Sequence, residues 1–210
     1  MYFAVPLTGT LLSAKDATSP VKFDPSISVS EHENVYPPSE DSRLLIESLD
    51  VREGERVLEI GCGSGIVSLH CSSNGAEVVC VDINPDAVEL TRRNFSNNSL
   101  KADVRLSDLY SSVTERFDTI VFNLPYLPEN DEGMLAKAWS GGDDGIGPLP
   151  ELLEEGKDHL LPGGRIVIVV SSLMDQERLS SLLSKYEVRE LGSLHMFFET
   201  LRVLEIRAVS

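Results

Sequence analysis

The chain has 210 residues, enough for one well-buried domain and short for two. Hydrophobic residues make up 41% of it, which argues for a packed core and against wholesale disorder. The 34 acidic and 18 basic residues leave a net charge of −16, which repels phosphate backbones and argues against a dedicated nucleic-acid binder.

Residues 1–35 lack periodicity and are rich in Ser, Thr and Pro, so they read as an N-terminal arm, packed on the domain or partly disordered. Residues 36–210 read as a single domain. Pro37-Pro38 breaks the chain, Ser39 is a good helix cap before Glu40 and Asp41, and Leu44, Leu45 and Leu49 recur at near-helical spacing. Arg56 to Ile60 predicts a buried strand, Ile66 to Ser73 the helix after it, and Glu77 to Val81 an apolar strand ending at Asp82. Asn84-Pro85 opens a helix that runs to about Phe95. Strands follow at Ala102 to Leu106 and at Thr119 to Phe122, the latter ending at Asn123. Pro150 to Leu161 predicts a helix stopped by Pro162-Gly163-Gly164, Arg165 to Val170 a strand, and Asp175 to Tyr186 a helix. Glu187 to Leu191 and Leu194 to Ala208 predict a hairpin turning at Gly192-Ser193. The alternation implies an α/β fold with a mostly parallel sheet, helices on both faces and one antiparallel C-terminal strand.

Cys62, Cys71 and Cys80 are evenly spaced with no Cys-x-x-Cys pair, and His32, His70, His159 and His195 are scattered, so no metal site is expected. The N-terminus lacks a basic leader and no apolar run reaches bilayer length, which predicts a soluble cytoplasmic protein with no membrane contact.

Two loops carry chemistry. Leu58-Glu59-Ile60-Gly61-Cys62-Gly63-Ser64-Gly65-Ile66 joins a strand to a helix, where glycines allow close backbone approach and the helix start offers free N–H groups. Its third glycine comes one residue too early for a dinucleotide fingerprint. Asp82, at the end of the next strand, is placed to accept from two ribose hydroxyls. Asp108, in Ser107-Asp108-Leu109, would reach the same crevice, with its carboxylate toward an amino group and the Leu109 N–H toward a ring. The second loop is Asn123-Leu124-Pro125-Tyr126 at the end of the fourth strand. The Asn123 side-chain oxygen and the Leu124 carbonyl can accept both hydrogens of a planar NH2, Pro125 constrains the turn, and Tyr126 can stack on a planar group.

The three acidic strand ends and the glycine loop resemble the class I methyltransferase pattern, and the resemblance runs from about Tyr36 to the C-terminus. It implies a Rossmann-like seven-stranded sheet and S-adenosylmethionine as cofactor. Glu59 would then lie near the methionine end, with Gly61 and Gly63 against the ligand. Asn123-Leu124-Pro125-Tyr126 is similar to the Asn-Pro-Pro-Tyr signature of methyltransferases acting on planar nitrogens, with Leu124 where the first proline is expected. Val35-Tyr36-Pro37-Pro38-Ser39-Glu40-Asp41-Ser42 and Ala138-Trp139-Ser140-Gly141-Gly142-Asp143-Asp144-Gly145 resemble segments of the short eukaryotic and archaeal subgroup of HemK-type release-factor glutamine methyltransferases. There the residue matching Ser42 contacts the cofactor. That resemblance implies methylation of a glutamine amide in the Gly-Gly-Gln motif of a translation release factor. It also implies a small zinc-binding activator protein as partner, paired with an edge strand at Ala102 to Leu106. Adenine-N6 methylation, protein-lysine methylation and a non-enzymatic cofactor-binding scaffold subunit are the alternatives.

Overall fold

The computed structural model describes residues 19–129, 133 and 135–209. In chain order the elements are β1 (Ser19–Pro20), α1 (Glu40–Ser48), β2 (Asp50–Val51), β3 (Arg56–Ile60), α2 (Ile66–Ser73), β4 (Glu77–Asp82) and α3 (Pro85–Asn97). They continue with β5 (Asp103–Leu106), β6 (Phe117–Phe122), α4 (Leu149–Gly156), β7 (Leu160–Ser171), α5 (Gln176–Leu183), β8 (Tyr186–His195) and β9 (Thr200–Ala208). Seven strands form one sheet in the order β5-β4-β3-β6-β7-β9-β8. All neighbouring pairs are parallel except those made by β9, which runs against both β7 and β8. This is the expected Rossmann-like α/β sheet with its one antiparallel strand.

The central strands read as continuous apolar runs because both faces of the sheet are covered. Alternate positions go to opposite sides. Val57, Val121, Val167, Val169 and Val203 pack with α1, α2 and α3 through Leu45, Ile46, Leu69, Val88 and Phe95. Leu58, Ile120, Ile166, Ile168 and Leu204 pack with α4 and α5 through Leu149, Leu152, Leu153, Leu179 and Leu183. The order reverses between β3 and β6, since β3 pairs with β4 on one side and β6 on the other. A sheet with such a reversal opens a crevice at the carboxyl ends of the two diverging strands. Ile60 and Phe122 lie opposite each other in register there, so the glycine loop and the Asn123 turn leave the sheet side by side.

The opposite end of the sheet is held by a buried cation. Arg165 donates to Asp50 Oδ1 (2.7 Å), to Glu205 Oε2 (2.9 Å) and to Thr119 Oγ1 (3.0 Å), and Thr119 in turn donates to Glu55 Oε1 (2.6 Å). Residues 19–35 follow the domain surface. Ser19 and Pro20 pair with Val51 and Asp50, and Val21 and Val35 are buried. Ser28 exchanges two hydrogen bonds with the Asn98 side chain, and the Ser30 N–H donates to Asn94 Oδ1 at 2.8 Å. Residues 1–18 lie outside the described residues.

Three predicted boundaries are corrected. The hairpin does not turn at Gly192-Ser193. β8 continues to His195, which pairs with Thr200, and the register shifts between Glu190 and Gly192 as at a bulge. Gly192 serves packing instead: a side chain there would meet Ser48 Oγ on α1 at 2.4 Å. The predicted helix from Pro150 to Leu161 ends at Gly156, followed by a short 3-10 turn over Lys157–His159. Pro162-Gly163-Gly164 lies within β7, in the irregular stretch between the Leu160–Phe117 and Arg165–Thr119 pairs, where a proline removes no regular ladder bond. The last helix is shorter than Asp175 to Tyr186, because Asp175 is its cap, accepting from the Arg178 N–H at 2.9 Å, and Tyr186 already begins β8.

Candidate active site

The crevice is lined by both loops and by the segment leading into α1. Its walls include Tyr36, Pro38, Ser42, Glu59, Gly61, Gly63, Asp82, Asn84, Asn123 and Pro125. The glycine loop is shaped by contacts that exclude side chains. At Gly61 (φ +63°) a Cβ would come within 2.7 Å of the Phe122 ring, and at Gly65 (φ +77°) within 2.8 Å of Thr91 Cγ2. Gly65 caps α2 in this left-handed conformation. The loop is held from below by α3. Thr91 Oγ1 donates to Gly63 O (2.9 Å) and Asn94 Nδ2 donates to Ser64 O (2.9 Å).

Two carboxyls face this loop with different environments. Glu59 is buried on β3 and accepts the Ser68 N–H at 3.0 Å. Burial pushes its carboxyl up to about 8, against the lowering effect of the Ser68 hydrogen bonds. Such a group ionises readily once a cation arrives beside it. Asp82 Oδ2 accepts the Gly63 N–H (2.9 Å) and its Oδ1 accepts the Asn84 N–H (2.8 Å). Burial raises its carboxyl too, opposed by backbone donors from Asn84, Gly63 and Ile83. Each Asp82 oxygen keeps a lone pair for a further donor.

The turn at the end of β6 is built from several sides. Leu124 is buried in the core on the α4 and α5 side. Tyr126 packs between both cores and donates from its hydroxyl to Asp41 Oδ2 at 3.3 Å. Asp41, buried in the first turn of α1, also accepts from the Ser42 N–H at 2.5 Å and from Ser42 Oγ at 3.1 Å. The loop over 139–147 presses on the turn from outside. Leu127 N–H donates to Trp139 O and Gly141 N–H donates to Leu127 O. A Cβ at Gly141 would lie 2.7 Å from Pro125 O, and one at Gly145 2.5 Å from Tyr126 O. The glycines of this loop therefore allow backbone to lie on backbone. Against this, Asn123 Oδ1 is buried and has no hydrogen-bond partner among the described residues. A buried acceptor left unpaired costs about 1–3 kcal/mol, so an orphan at the mouth of a crevice reads as one reserved for a ligand.

Of the residues singled out from the sequence, Ser42, Glu59, Gly61, Gly63, Asp82, Asn123 and Pro125 line the crevice together. Leu124 and Tyr126 support its wall from behind. Asp108 and Leu109 follow β5 at the same end of the sheet, since Leu106 pairs with Asp82. They are not among the lining residues, and Asp108 is exposed. Leu109 holds φ at +41°, a conformation that non-glycine residues rarely adopt outside functional turns. Sequence reading missed Asp41, Thr91 and Asn94. Asp41 looked like an ordinary acidic first-turn residue. Thr91 and Asn94 carried a usable signal, being polar positions three apart on the apolar face of α3. No His, Cys, Asp and Glu cluster suited to a metal occurs among the described residues.

Residues 27–194 match the methyltransferase small domain family. The chain belongs to that family. It is a methyltransferase, and its relatives sharpen the class. It is 38% identical over 180 residues to a Methanocaldococcus jannaschii protein provisionally named a protein N5-glutamine methyltransferase, covering 82% of this chain and 91% of that one. It is 33% identical over 141 residues to ribosomal RNA small subunit methyltransferase C of Chromohalobacter salexigens, covering 65% of this chain but only 39% of the relative. Among solved structures, a chain of the E. cuniculi Mtq2-Trm112 complex, described as responsible for methylation of the eRF1 translation termination factor, superposes with a TM-score of 0.67 at 22% identity, covering 84% of this chain and 99% of that one. The last likeness speaks to the fold.

Proposed function

We propose that this methyltransferase transfers a methyl group to the side-chain amide nitrogen of a glutamine, in the Gly-Gly-Gln motif of a translation release factor. The observation that carries the reading is the unpaired, buried Asn123 Oδ1 at the mouth of the crevice. It is an acceptor without a donor, at the end of the strand that adjoins the glycine loop. A primary amide offers two N–H donors and is itself too weak a nucleophile to react unless held in line. Asn123 Oδ1 takes one hydrogen and the Leu124 carbonyl the other. Both acceptors then stabilise the positive charge that grows on nitrogen during transfer. Tyr126, tethered to Asp41 and packed behind the crevice wall, braces the turn that carries both acceptors. Neither acceptor is a strong base, so the proton leaves late, to water.

The methyl donor is S-adenosylmethionine, which supplies an electrophilic methyl on a sulfonium. The crevice fits it: the glycine loop admits no side chain at Gly61 or Gly65, and both Asp82 oxygens retain acceptor capacity for ribose hydroxyls. Glu59 and Ser42 hold the methionine end, where a cationic ammonium would draw the Glu59 proton off. Gly61 and Gly63 would lie against the ligand, and Asp108 and Leu109, which follow β5 at the same end of the sheet, would receive the adenine ring. The relative named for glutamine N5 methylation, aligned over nearly its whole length, supports the acceptor class.

A small zinc-binding activator pairs with β5 in this reading. β5 ends the sheet, and Leu106 on it is 56% exposed. An uncovered edge strand with exposed apolar surface needs such a partner. No helix among the described residues is long and apolar enough to cross a membrane. A translation factor as substrate places the protein in the cytoplasm. The competing reading is methylation of a nucleic-acid base, favoured by the ribosomal RNA methyltransferase relatives and opposed by the net charge of −16.

The test is transfer of labelled methyl from S-adenosylmethionine to purified release factor, with and without its Gly-Gly-Gln glutamine, by enzyme co-expressed with the activator. Label that vanishes with the glutamine supports the reading. Absence of label on the intact factor, with label on ribosomal RNA, would refute it.

A further inference from the structure

The β8–β9 connection is a tight tip of two phenylalanines. Met196 N–H donates to Glu199 O at 2.7 Å and closes the turn over Phe197 and Phe198. Tight hairpin turns are the province of Gly, Asn and Asp, which tolerate the backbone and bury nothing. Here Phe197 is 93% exposed and Phe198 84% exposed, their rings edge to face at 4.6 Å. Met196 and Leu173 add exposed apolar surface at the same end. Leu173 follows Ser172, whose N–H and Oγ are both bonded to Thr200. Neither turn geometry nor the core explains adjacent aromatic rings placed in water.

The position of the tip is informative. Ser171, the end of β7, pairs with Leu201, and β7 runs parallel to β6, so the tip rises from the end of the sheet where Asn123 leaves it. Glu199, next to the tip, is fixed by a hydrogen bond from Ser171 Oγ at 2.5 Å. It is near enough to the reacting loop that its charge adds to burial and Asp41 in raising the Tyr126 phenol. The tip therefore stands beside the crevice, and Glu199 together with Asp41 makes the field at Tyr36 and Tyr126 negative.

We infer that the Phe197-Phe198 tip is a docking element for the protein substrate of the crevice, taking an apolar side chain of a basic polypeptide next to the acceptor glutamine. The inference rests on the amide-methylating reading above and adds to it a recognition surface outside the crevice. Exposed aromatic anchors on a rigid hairpin lose little freedom on binding and dominate such interfaces. The negative surroundings select a basic partner and oppose a nucleic-acid one. A second copy of this chain is disfavoured by a net charge of −16 on each. Ser19, paired with Val51, lies at the far end of the sheet from the tip.

The test compares the full-length chain, in complex with its activator, with its F197S/F198S variant on intact release factor. The variant is expected to keep its melting temperature and its affinity for S-adenosylmethionine, to keep kcat within about twofold, and to raise KM by roughly 10- to 100-fold, the span of an aromatic hot spot. Transfer by the unsubstituted chain with an unchanged KM in the variant would overturn the docking inference alone. No transfer by the unsubstituted chain would overturn the release-factor reading and this inference with it. Self-association of the unsubstituted chain that the variant lacks would assign the tip to a second copy and also overturn it.

Discussion

Replacing Asn123 with alanine should move stability and activity in opposite directions. Asn123 Oδ1 is buried and unpaired among the described residues, and the side chain is only half-buried overall. Keeping an acceptor in that state costs the folded chain about 1–3 kcal/mol. Alanine removes the acceptor and loses little apolar contact, leaving a net gain of roughly 0.5–2 kcal/mol. For a chain of this size each kcal/mol moves the melting temperature by about 2–4 °C, so N123A should melt about 1–8 °C above the parent. Methyl transfer should fall by about 10²–10³, as for the loss of one charge-stabilising hydrogen-bond group in a water-excluded site. Binding of S-adenosylmethionine should stay within about threefold, since the lost contact belongs to the acceptor. Differential scanning calorimetry, cofactor titration and single-turnover transfer, on one preparation, measure all three. A melting temperature several degrees below the parent would mean that Oδ1 is holding the turn together, and the argument for a reserved acceptor would fail. So would transfer at the parental rate.

Further outcomes follow from other parts of the site and its frame. The Glu59 carboxyl, raised by burial from 4.5 to about 8, binds a proton in the folded chain that the unfolded chain releases. Its stabilising contribution is complete below pH 4.5 and is lost as pH rises to about 8, a swing on the order of a few kcal/mol. Urea midpoints at pH 5 and pH 8 should therefore differ less in E59Q than in the parent, and identical pH profiles would refute the assignment. The same proton opposes a cationic ligand, so affinity for S-adenosylmethionine should rise with pH up to about 8 in the parent and stay flat in E59Q. Gly65→Ala puts a Cβ 2.8 Å from Thr91 Cγ2 at a positive φ, and should cost about 1–3 kcal/mol and weaken cofactor binding; a variant as stable as the parent contradicts the packing described. Arg165→Ala removes the buried cation shared by Glu55 and Glu205, which keep only the more exposed Arg52 (for Glu55) and Arg189 and Arg207 (for Glu205), and should cost about 1–3 kcal/mol in chemical denaturation while sparing the crevice at the other end of the sheet. An unchanged denaturation midpoint would mean that Arg52, Arg189 and Arg207 compensate both carboxylates without it.

Much of the molecule was readable in its residues because the signals are local. Runs such as Arg56 to Ile60 and Arg165 to Val170, short, rich in Val and Ile and bounded by glycine, read as strands covered on both faces, and Asn84-Pro85 caps and starts α3 by its own chemistry. The glycine loop and the Asn123 turn declared themselves through residue types that the backbone and the chemistry require. Signals failed where a local rule met a tertiary demand. Gly192-Ser193 looks like a turn, yet Gly192 is there because α1 crosses so closely that no Cβ fits, while the true turn uses two phenylalanines that no turn rule would select. Pro162-Gly163-Gly164 looks like a helix stop and lies in the outer part of a strand, where the ladder is incomplete.

The residues by themselves determined that this is a mostly parallel α/β sheet, that a glycine loop follows its first long strand, and that an Asn-Leu-Pro-Tyr turn follows its fourth. Each of these depends on neighbours within about ten residues, where backbone preference and side-chain chemistry act directly. Only the tertiary structure decided what surrounds them: that the strand order reverses between β3 and β6, that Asp41 reaches across to Tyr126, that Thr91 and Asn94 carry the glycine loop, and that Asn123 Oδ1 is left without a donor. Those contacts join residues about 30 to 80 positions apart, and no local preference encodes them; they exist because one sheet must be covered on both faces at once.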